Sequence, residues 1–280
     1  TISNFGNLSG GMKWEGATLA HNGKIYSIPH HENSILEIDT VKLTSAKYEI
    51  PDHHINKNNE AKWVSSVLAP NGKIYGIPYE SSTILEFDPA TKKFIEFGNF
   101  FGETKWSGGV LAPNGKIYAI PLSSTQILEI NPDNRETKLF GNLEGNLKWA
   151  GGALSANGKI YGIPSSSNTI LEFNPETKKI ITFGDFPGHA KWLGGVLAPN
   201  GKIYGIPRDS KSILEIDPIT HSTRTFGNFE GGNKWIGGIL APNGKIYGFP
   251  FASNTILEID PKSYYNFDMN VLLSAYLNKH

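Results

Sequence analysis

Apolar positions along the chain fall into short runs that return in one order. Between residues 191 and 228 the runs read WLGGVLA, KIYGIP, SILEID and TRTFG. Turn residues part them at Pro199-Asn200-Gly201, Arg208-Asp209-Ser210 and Asp217-Pro218. Short apolar runs bounded by Asn, Asp, Gly and Pro predict strands. Asn-Gly between the first two runs is the strongest local hairpin signal, because both turn residues must accept positive φ. The proline that closes GIP would break a continuing helix. The segment is therefore predicted to be one four-stranded antiparallel blade. Its first two strands are apolar at almost every position, as expected of a sheet covered on both faces.

The unit recurs six times, marked by Lys13-Trp14, Lys62-Trp63, Lys105-Trp106, Lys148-Trp149, Lys191-Trp192 and Lys234-Trp235, spaced by 49 and then by 43 residues. A period in the forties admits propeller blades or helical arrays, and the strand and turn signals choose the former. The expected fold is all-β, a six-bladed β-propeller of four-stranded antiparallel blades. It forms a single domain over residues 1–280, with blade repeats beginning near 13, 62, 105, 148, 191 and 234. The opening ISNFGN matches TRTFGN of residues 223–228, whereas the last unit never reaches Phe-Gly-Asn. Residues 1–6 are therefore expected to complete the last blade as its fourth strand. The C-terminal tail, 262–280, contains a capping residue, Asn270, and apolar residues at helical spacing, which predict a short helix.

Tryptophan, then Gly-Gly, then Pro-Asn-Gly-Lys-Ile-Tyr, as at Trp106, Gly108-Gly109 and Pro113 to Tyr118, resembles the hairpin motif of tachylectin-type propeller lectins. The resemblance covers the first two strands of each unit. Those lectins have five blades, and the ILEIDP strand departs from their pattern. Asp-Pro at 88–89, 217–218 and 260–261 resembles the third-strand ending of other propeller families with mixed functions. What the lectin resemblance implies is sugar binding near the repeated tryptophans.

Composition narrows the partners. Lys plus Arg and Asp plus Glu number 26 each, so no net field attracts nucleic acid or an anionic membrane. No run of 18 apolar residues predicts a membrane span, and residues 1–20 lack the pattern of a signal peptide. The chain is expected to be soluble. Because it begins at Thr1, a signal removed earlier remains compatible with it, and the compartment stays open. Cysteine is absent, which removes disulfides, thiolate nucleophiles and cysteine metal sites. No cofactor is expected. The sequon Asn7-Leu8-Ser9 matters only for a secreted chain.

Two readings of the repeated Lys-Trp pairs compete. In one, each indole is a wedge between blades; in the other, it stacks on a sugar ring with lysine, serine and asparagine beside it. The second makes Trp14, Trp63, Trp106, Trp149, Trp192 and Trp235, with Lys13, Lys62, Lys105, Lys148, Lys191 and Lys234, the candidate ligand-binding residues. Gly-Gly after tryptophan reads as packing among crowded inner strands. Second-strand lysines such as Lys202 are expected near the acid or amide before proline, such as Asp217.

Asymmetry concentrates in the first unit. It holds His30, His31, Glu32, Asp52, His53 and His54, and Glu15 is the sole acid at its position, where the other units have Val64, Ser107, Ala150, Leu193 and Ile236. His30, His31, His53 and His54 form a candidate zinc or nickel site, although neither pair has a helical ligand spacing. No Gly-x-Ser-x-Gly, phosphate loop or dinucleotide fingerprint appears. The leading expectation is a non-catalytic recognition protein, a multivalent lectin for glycans or glycoconjugates with equivalent sites on one face. The alternatives are a protein- or peptide-binding scaffold and an enzyme using the first-blade histidines.

Overall fold

A computed structural model describes residues 4–9, 11, 13–50 and 61–261. They fall into two compact units, residues 1–111 with 115–143, and residues 112–114 with 144–280. The first carries three sheets: β1 (Thr18–Leu19), β2 (Ile25–Ser27), β3 (Ser34–Asp39) and β4 (Thr44–Glu49); β5 (Trp63–Leu68), β6 (Ile74–Pro78), β7 (Ile84–Phe87) and β8 (Phe94–Phe97); β9 (Trp106–Leu111), β10 (Ile117–Pro121), β11 (Ile127–Ile130) and β12 (Thr137–Phe140). The second carries β13 (Trp149–Leu154), β14 (Ile160–Pro164), β15 (Ile170–Phe173) and β16 (Ile180–Phe183); β17 (Trp192–Leu197), β18 (Ile203–Pro207), β19 (Ile213–Ile216) and β20 (Thr223–Phe226); and β21 (Trp235–Leu240), β22 (Ile246–Pro250) and β23 (Leu257–Ile259). Each sheet is an antiparallel meander in chain order. The chain is an all-β six-bladed propeller of four-stranded blades, three blades in each unit.

The described part of the sixth blade has three strands. Of the segment expected to complete it, residues 1–3 lie outside the described residues. Asn4 to Gly6 form no strand, and Gly6 lies against Ser45 of β4. The expected C-terminal helix also lies outside the described residues.

The register explains the repeated Gly-Gly. Trp192 pairs with Pro207 and Gly195 with Gly205, so one extra residue bulges out of β17 between them. Gly194 takes φ +80° at that bulge, in the left-handed region where a side chain is disfavoured. At Gly195 a methyl would sit 2.5 Å from Ile163 Cδ1 of the preceding blade. The first glycine makes the bulge, and the second admits the neighbouring blade.

Hydrophobic burial is organised between blades. In the first unit Tyr26, Ile28 and Ile35 pack with Trp63, Ile74 and Phe87, and Tyr75, Ile77 and Ile84 pack with Trp106, Ile117 and Leu128. In the second, Tyr161, Ile163 and Ile170 pack with Trp192, Ile203 and Leu214, and Tyr204, Ile206 and Ile213 with Trp235, Ile246 and Leu257. At roughly 1.5–3 kcal/mol for each fully buried large apolar side chain, these joints hold most of the stabilising burial. No helix among the described residues is long and apolar enough to cross a membrane.

Candidate functional site

The loops entering each first strand meet the loops between second and third strands, as the expected hairpin pattern requires. The Arg208 N–H donates to Lys191 O at 2.9 Å, and the Leu122 N–H donates to Lys105 O at 3.0 Å. Asn-Gly turns meet the turns after third strands instead. Asn71 donates to Pro132 O at 2.9 Å, and Asn157 to Pro218 O at 3.2 Å. The Lys-Trp pairs and the second-to-third loops therefore lie together, away from those turns.

The structure buries most of the repeated pair. Trp63, Trp106, Trp149, Trp192 and Trp235 are 1–4% exposed. Their indole N–H groups donate to Thr83, Gln126, Thr169, Ser212 and Thr255 carbonyls at 2.6–2.8 Å. Phe100, Phe186 and Phe229 stand edge-on to Trp106, Trp192 and Trp235 at 5.1–5.5 Å. None of the five has an open face for stacking, and Trp63, Trp106, Trp192 and Trp235 are wedges between blades. Trp14 is half-buried, donates to Ser34 O at 2.6 Å, and has the ammonium groups of Lys13 and Lys47 over its ring.

The paired lysines are also buried, from Lys62 to Lys234. Lys191 Nζ donates to Ser165 O, Ser167 O and Gly188 O at 2.8, 3.0 and 2.8 Å. Lys105 reaches Glu80 O and Gly102 O, Lys62 reaches His31 O and Glu32 O, Lys148 reaches Gly145 O, Lys234 reaches Gly231 O, and Lys13 reaches Leu8 O. The preceding residues Thr104, Leu147, Ala190 and Asn233 take φ of 47–51°, which turns each lysine back over its own loop. That conformation costs a residue with a side chain about 1–2 kcal/mol. Burial pushes the Lys148 and Lys191 ammonium groups down to about 8 and lowers Lys62 and Lys234 as well.

Beside one of these pairs the surface opens. A cleft of about 370 Å³ in the fifth blade lies between the entry loop, with Asp185, Phe186, His189, Lys191 and Trp192, and the loop carrying Asp209, Ser210 and Ser212. Asp185, His189 and Asp209 are exposed, while Phe186 is half-buried. Asp209 Oδ1 accepts the Asn233 N–H at 2.6 Å, which fixes one wall. Asp185, His189 and Asp209 were not singled out in the sequence. The signal was the departure of Asp185 and His189 from the repeat, since the matching positions hold Asn99 and Asn228, and Glu103 and Gly232, whereas Asp209 has an acidic counterpart in Glu80, which accepts the Ala61 N–H in the same way.

In the first blade, His30 Nε2 lies 3.2 Å from Glu15 Oε2, and the His30 and His31 rings meet edge-on at 4.3 Å. Crowding by protein raises the Glu15 carboxyl, against an opposing effect of His31. Among the described residues no group of three or more His, Cys, Asp or Glu could hold a metal ion. His53 and His54 lie outside the described residues, so the four-histidine set is represented by His30 and His31.

On the turn side, the register that pairs Ile203 with Ile216 brings Lys202 near Asp217 as expected, and against the raising effect of burial its charge helps to lower the Asp217 carboxyl. The register sets Tyr204 opposite Glu215, and Lys202 Nζ pairs with Glu215 Oε1 at 2.7 Å. The tyrosine hydroxyl donates to the same carboxylate at 3.0 Å. The Lys–Tyr–Glu set repeats as Lys24, Tyr26 and Glu37, as Lys73, Tyr75 and Glu86, and as Lys159, Tyr161 and Glu172. Burial raises Glu86, Glu172 and Glu215, but the donated hydrogen bonds outweigh it and hold all three below the usual carboxylate range. A cavity of about 850 Å³ over Glu215 is lined by Lys202, Asp217, Arg224 and Asp260 among others. Arg224 makes a bidentate pair with Glu215 at 2.9 and 2.7 Å.

No protein-family model matches the chain, and no curated protein sequence matches it. Solved structures do. A catalytically inactive virginiamycin B lyase from Staphylococcus aureus with quinupristin superposes with TM-score 0.78 at 15% identity, over 92% of this chain and 84% of the lyase. A streptogramin B lyase gives 0.73 at 15% identity, over 90% and 84%. An auxiliary nutrient binding protein from Bacteroides ovatus gives 0.59 at 12% identity, over 85% and 66%. Likeness at this identity concerns the fold, which is shared by a lyase and a binding protein alike. The chain is thus similar in fold to propellers of varied function.

Proposed function

We propose that the protein is a non-catalytic recognition protein that binds carbohydrate in clefts between its entry loops and its second-to-third loops. The observation that carries this reading is the fifth-blade cleft, where polar side chains ring the half-buried Phe186 and the edge of Trp192. A polyhydroxylated ring with an apolar face suits such a lining. The Lys-Trp pairs serve this site as its frame, holding the loops in place rather than touching sugar through an open ring face. Entry loops of the same form precede Trp106, Trp149 and Trp235, so several weak sites on one molecule could gain about 10²–10⁴ in avidity on a polyvalent surface.

A glycan-array screen followed by calorimetry tests it. The expected result is binding at more than one site per chain, with the fifth site lost in His189→Ala and Asp209→Ser. A protein that binds no glycan, and whose ligand proves to be a peptide or protein held once per molecule, would replace this reading with the scaffold. Catalysis from the first blade is a second reading, favoured by the Glu15–His30 contact at 3.2 Å. It requires a turnover that Glu15→Gln and His30→Ala abolish while glycan binding persists.

A further inference from the structure

Each joint between neighbouring blades within a unit is built from two unlike faces. The leading blade gives a tyrosine and two isoleucines from its second and third strands, as at Tyr204, Ile206 and Ile213. The following blade gives a tryptophan and aliphatic side chains, as at Trp235, Ile246 and Ile259. The following blade's turn after its third strand also reaches back onto the buried glutamate of the leading blade. Lys92 meets Glu37, Arg135 meets Glu86 through Nε and Nη2 at 3.0 and 3.1 Å, and His221 Nε2 meets Glu172 Oε2 at 2.7 Å. All three turn residues take φ of 56–62°.

The sixth blade exposes its leading face. Phe249 is 53% and Ile256 68% exposed, where their counterparts in the first five blades, among them Ile163, Ile170, Ile206 and Ile213, are 0–4% exposed. Ile239 beside them is 56% exposed, and Glu258 is exposed where Glu172 and Glu215 are buried. The first blade exposes the matching following face. Leu19 is 62% exposed, and Trp14, Ile25 and Ile38 are half-buried where Trp63, Ile74 and Phe87 are buried. Contiguous apolar patches of this kind mark interaction surfaces, unlike scattered exposed residues.

We infer that the protein associates with itself head to tail, the first blade of one copy seating on the sixth blade of another as a following blade seats on a leading one. The internal joints identify the occupant. Four times in this chain the residue set of the sixth-blade face is covered by the residue set that the first blade leaves exposed. The two faces differ, so the contact is heterologous, and each added copy leaves one face of each kind free. One part of the internal joint is missing from it. The position of Lys92, Arg135 and His221 is held in the first blade by Leu43, with φ 54°, so no cation reaches Glu258, which keeps Lys245 at 2.6 Å and Tyr247 at 2.9 Å from its own blade. Apolar contact alone holds the assembly, which is therefore weaker than an internal joint.

Sedimentation velocity from about 1 μM to 1 mM tests the inference on wild type, Phe249→Asp and Leu19→Asp. Wild type should grow in mass with concentration. Each variant should stay a single chain, with the melting temperature of dilute wild type, because both side chains are exposed. An equimolar mixture of the two variants should form a dimer that grows no further, since one keeps the first-blade face and the other the sixth-blade face. Leu43→Arg, which copies the Arg135–Glu86 contact, should associate at a roughly two- to fivefold lower concentration than wild type. A wild type that remains one chain throughout, a Leu19→Asp variant that still pairs, or variants that do not combine would each overturn it. Slow amide exchange at β22 in such a single chain would assign the cover to the chain's own residues.

Discussion

Replacing Lys191 with methionine asks whether a buried ammonium can frame a binding loop. Methionine keeps the apolar stem and removes the charge. Lys191 donates to three carbonyls at 2.8–3.0 Å, and charge-assisted bonds contribute about 1.5–3 kcal/mol each. Against this stands the cost of burial, which pushes the ammonium from 10.5 down to about 8 and so amounts to roughly 3 kcal/mol at neutral pH. Ser165 O keeps a second donor in the Lys191 N–H, at 3.0 Å, so the unmet acceptors are Ser167 O and Gly188 O. The variant should be less stable by about 2–5 kcal/mol, read as a fall of several degrees in melting temperature. The pH dependence carries its own sign. The folded value lies below the free one, so keeping the ammonium charged in the fold carries a cost at neutral pH, and that cost fades from about 8 to about 10.5; the wild type should regain stability in this window and Lys191→Met should not. A methionine variant as stable as wild type would refute the carbonyl cage. Lost glycan binding in such a stable variant would make Lys191 a ligand residue after all.

Other perturbations discriminate between parts of the fold. Glu37 is held down to about 2, because bonds from Lys24, Lys92, Tyr26 and Tyr48 outweigh the burial that raises it. Its stabilisation is full above the ordinary carboxylate range and is lost as the pH falls through about 2, so Glu37→Gln should flatten the acid limb of a stability profile. Trp106→Ala should cost about 3–5 kcal/mol in denaturant unfolding, since the indole is 2% exposed and part of a two-blade cluster; a loss below about 1 kcal/mol would deny it the wedge role. Gly195→Ala drives a methyl to 2.5 Å from Ile163 Cδ1, and should destabilise more than Gly201→Ala, whose turn position is open but has φ +78°. Urea midpoints of the two variants rank them, and the reverse order would undo the packing account.

The blades were legible because their signals are local: Asn-Gly turns, prolines closing second strands, and a fixed period. The strand boundaries of the fifth unit follow from them almost residue by residue. The burial of the Lys-Trp pairs was less so. A lysine beside a tryptophan looks like a surface pair until the left-handed residue before it, such as Ala190, turns the ammonium inward onto carbonyls. That Lys202 lies near Asp217 follows from the hairpin register, whereas its ion pair with Glu215 does not, because the ammonium reaches diagonally to the carboxylate opposite Tyr204. The fifth-blade cleft was hidden by the repetition. Attention goes to what recurs, whereas Asp185 and His189 are informative because they do not.

The backward reach of Lys92, Arg135 and His221 has a consequence for how such a chain can be rearranged. The sequence repeats blade by blade, but the cooperative element is a joint assembled from the back half of one repeat and the turn of the next. A library that exchanges whole blades would cut through every joint it touches, pairing a carboxylate with whichever cation its new neighbour happens to bring. Arg135 and Glu86 stand 49 residues apart, as do His221 and Glu172, more than one 43-residue repeat, so no crossover point within a blade saves the pair and only an exchange of two adjacent blades together keeps a joint whole. Evolution by duplication faces the same arithmetic, since the turn of a copied unit meets whichever carboxylate the blade before it carries.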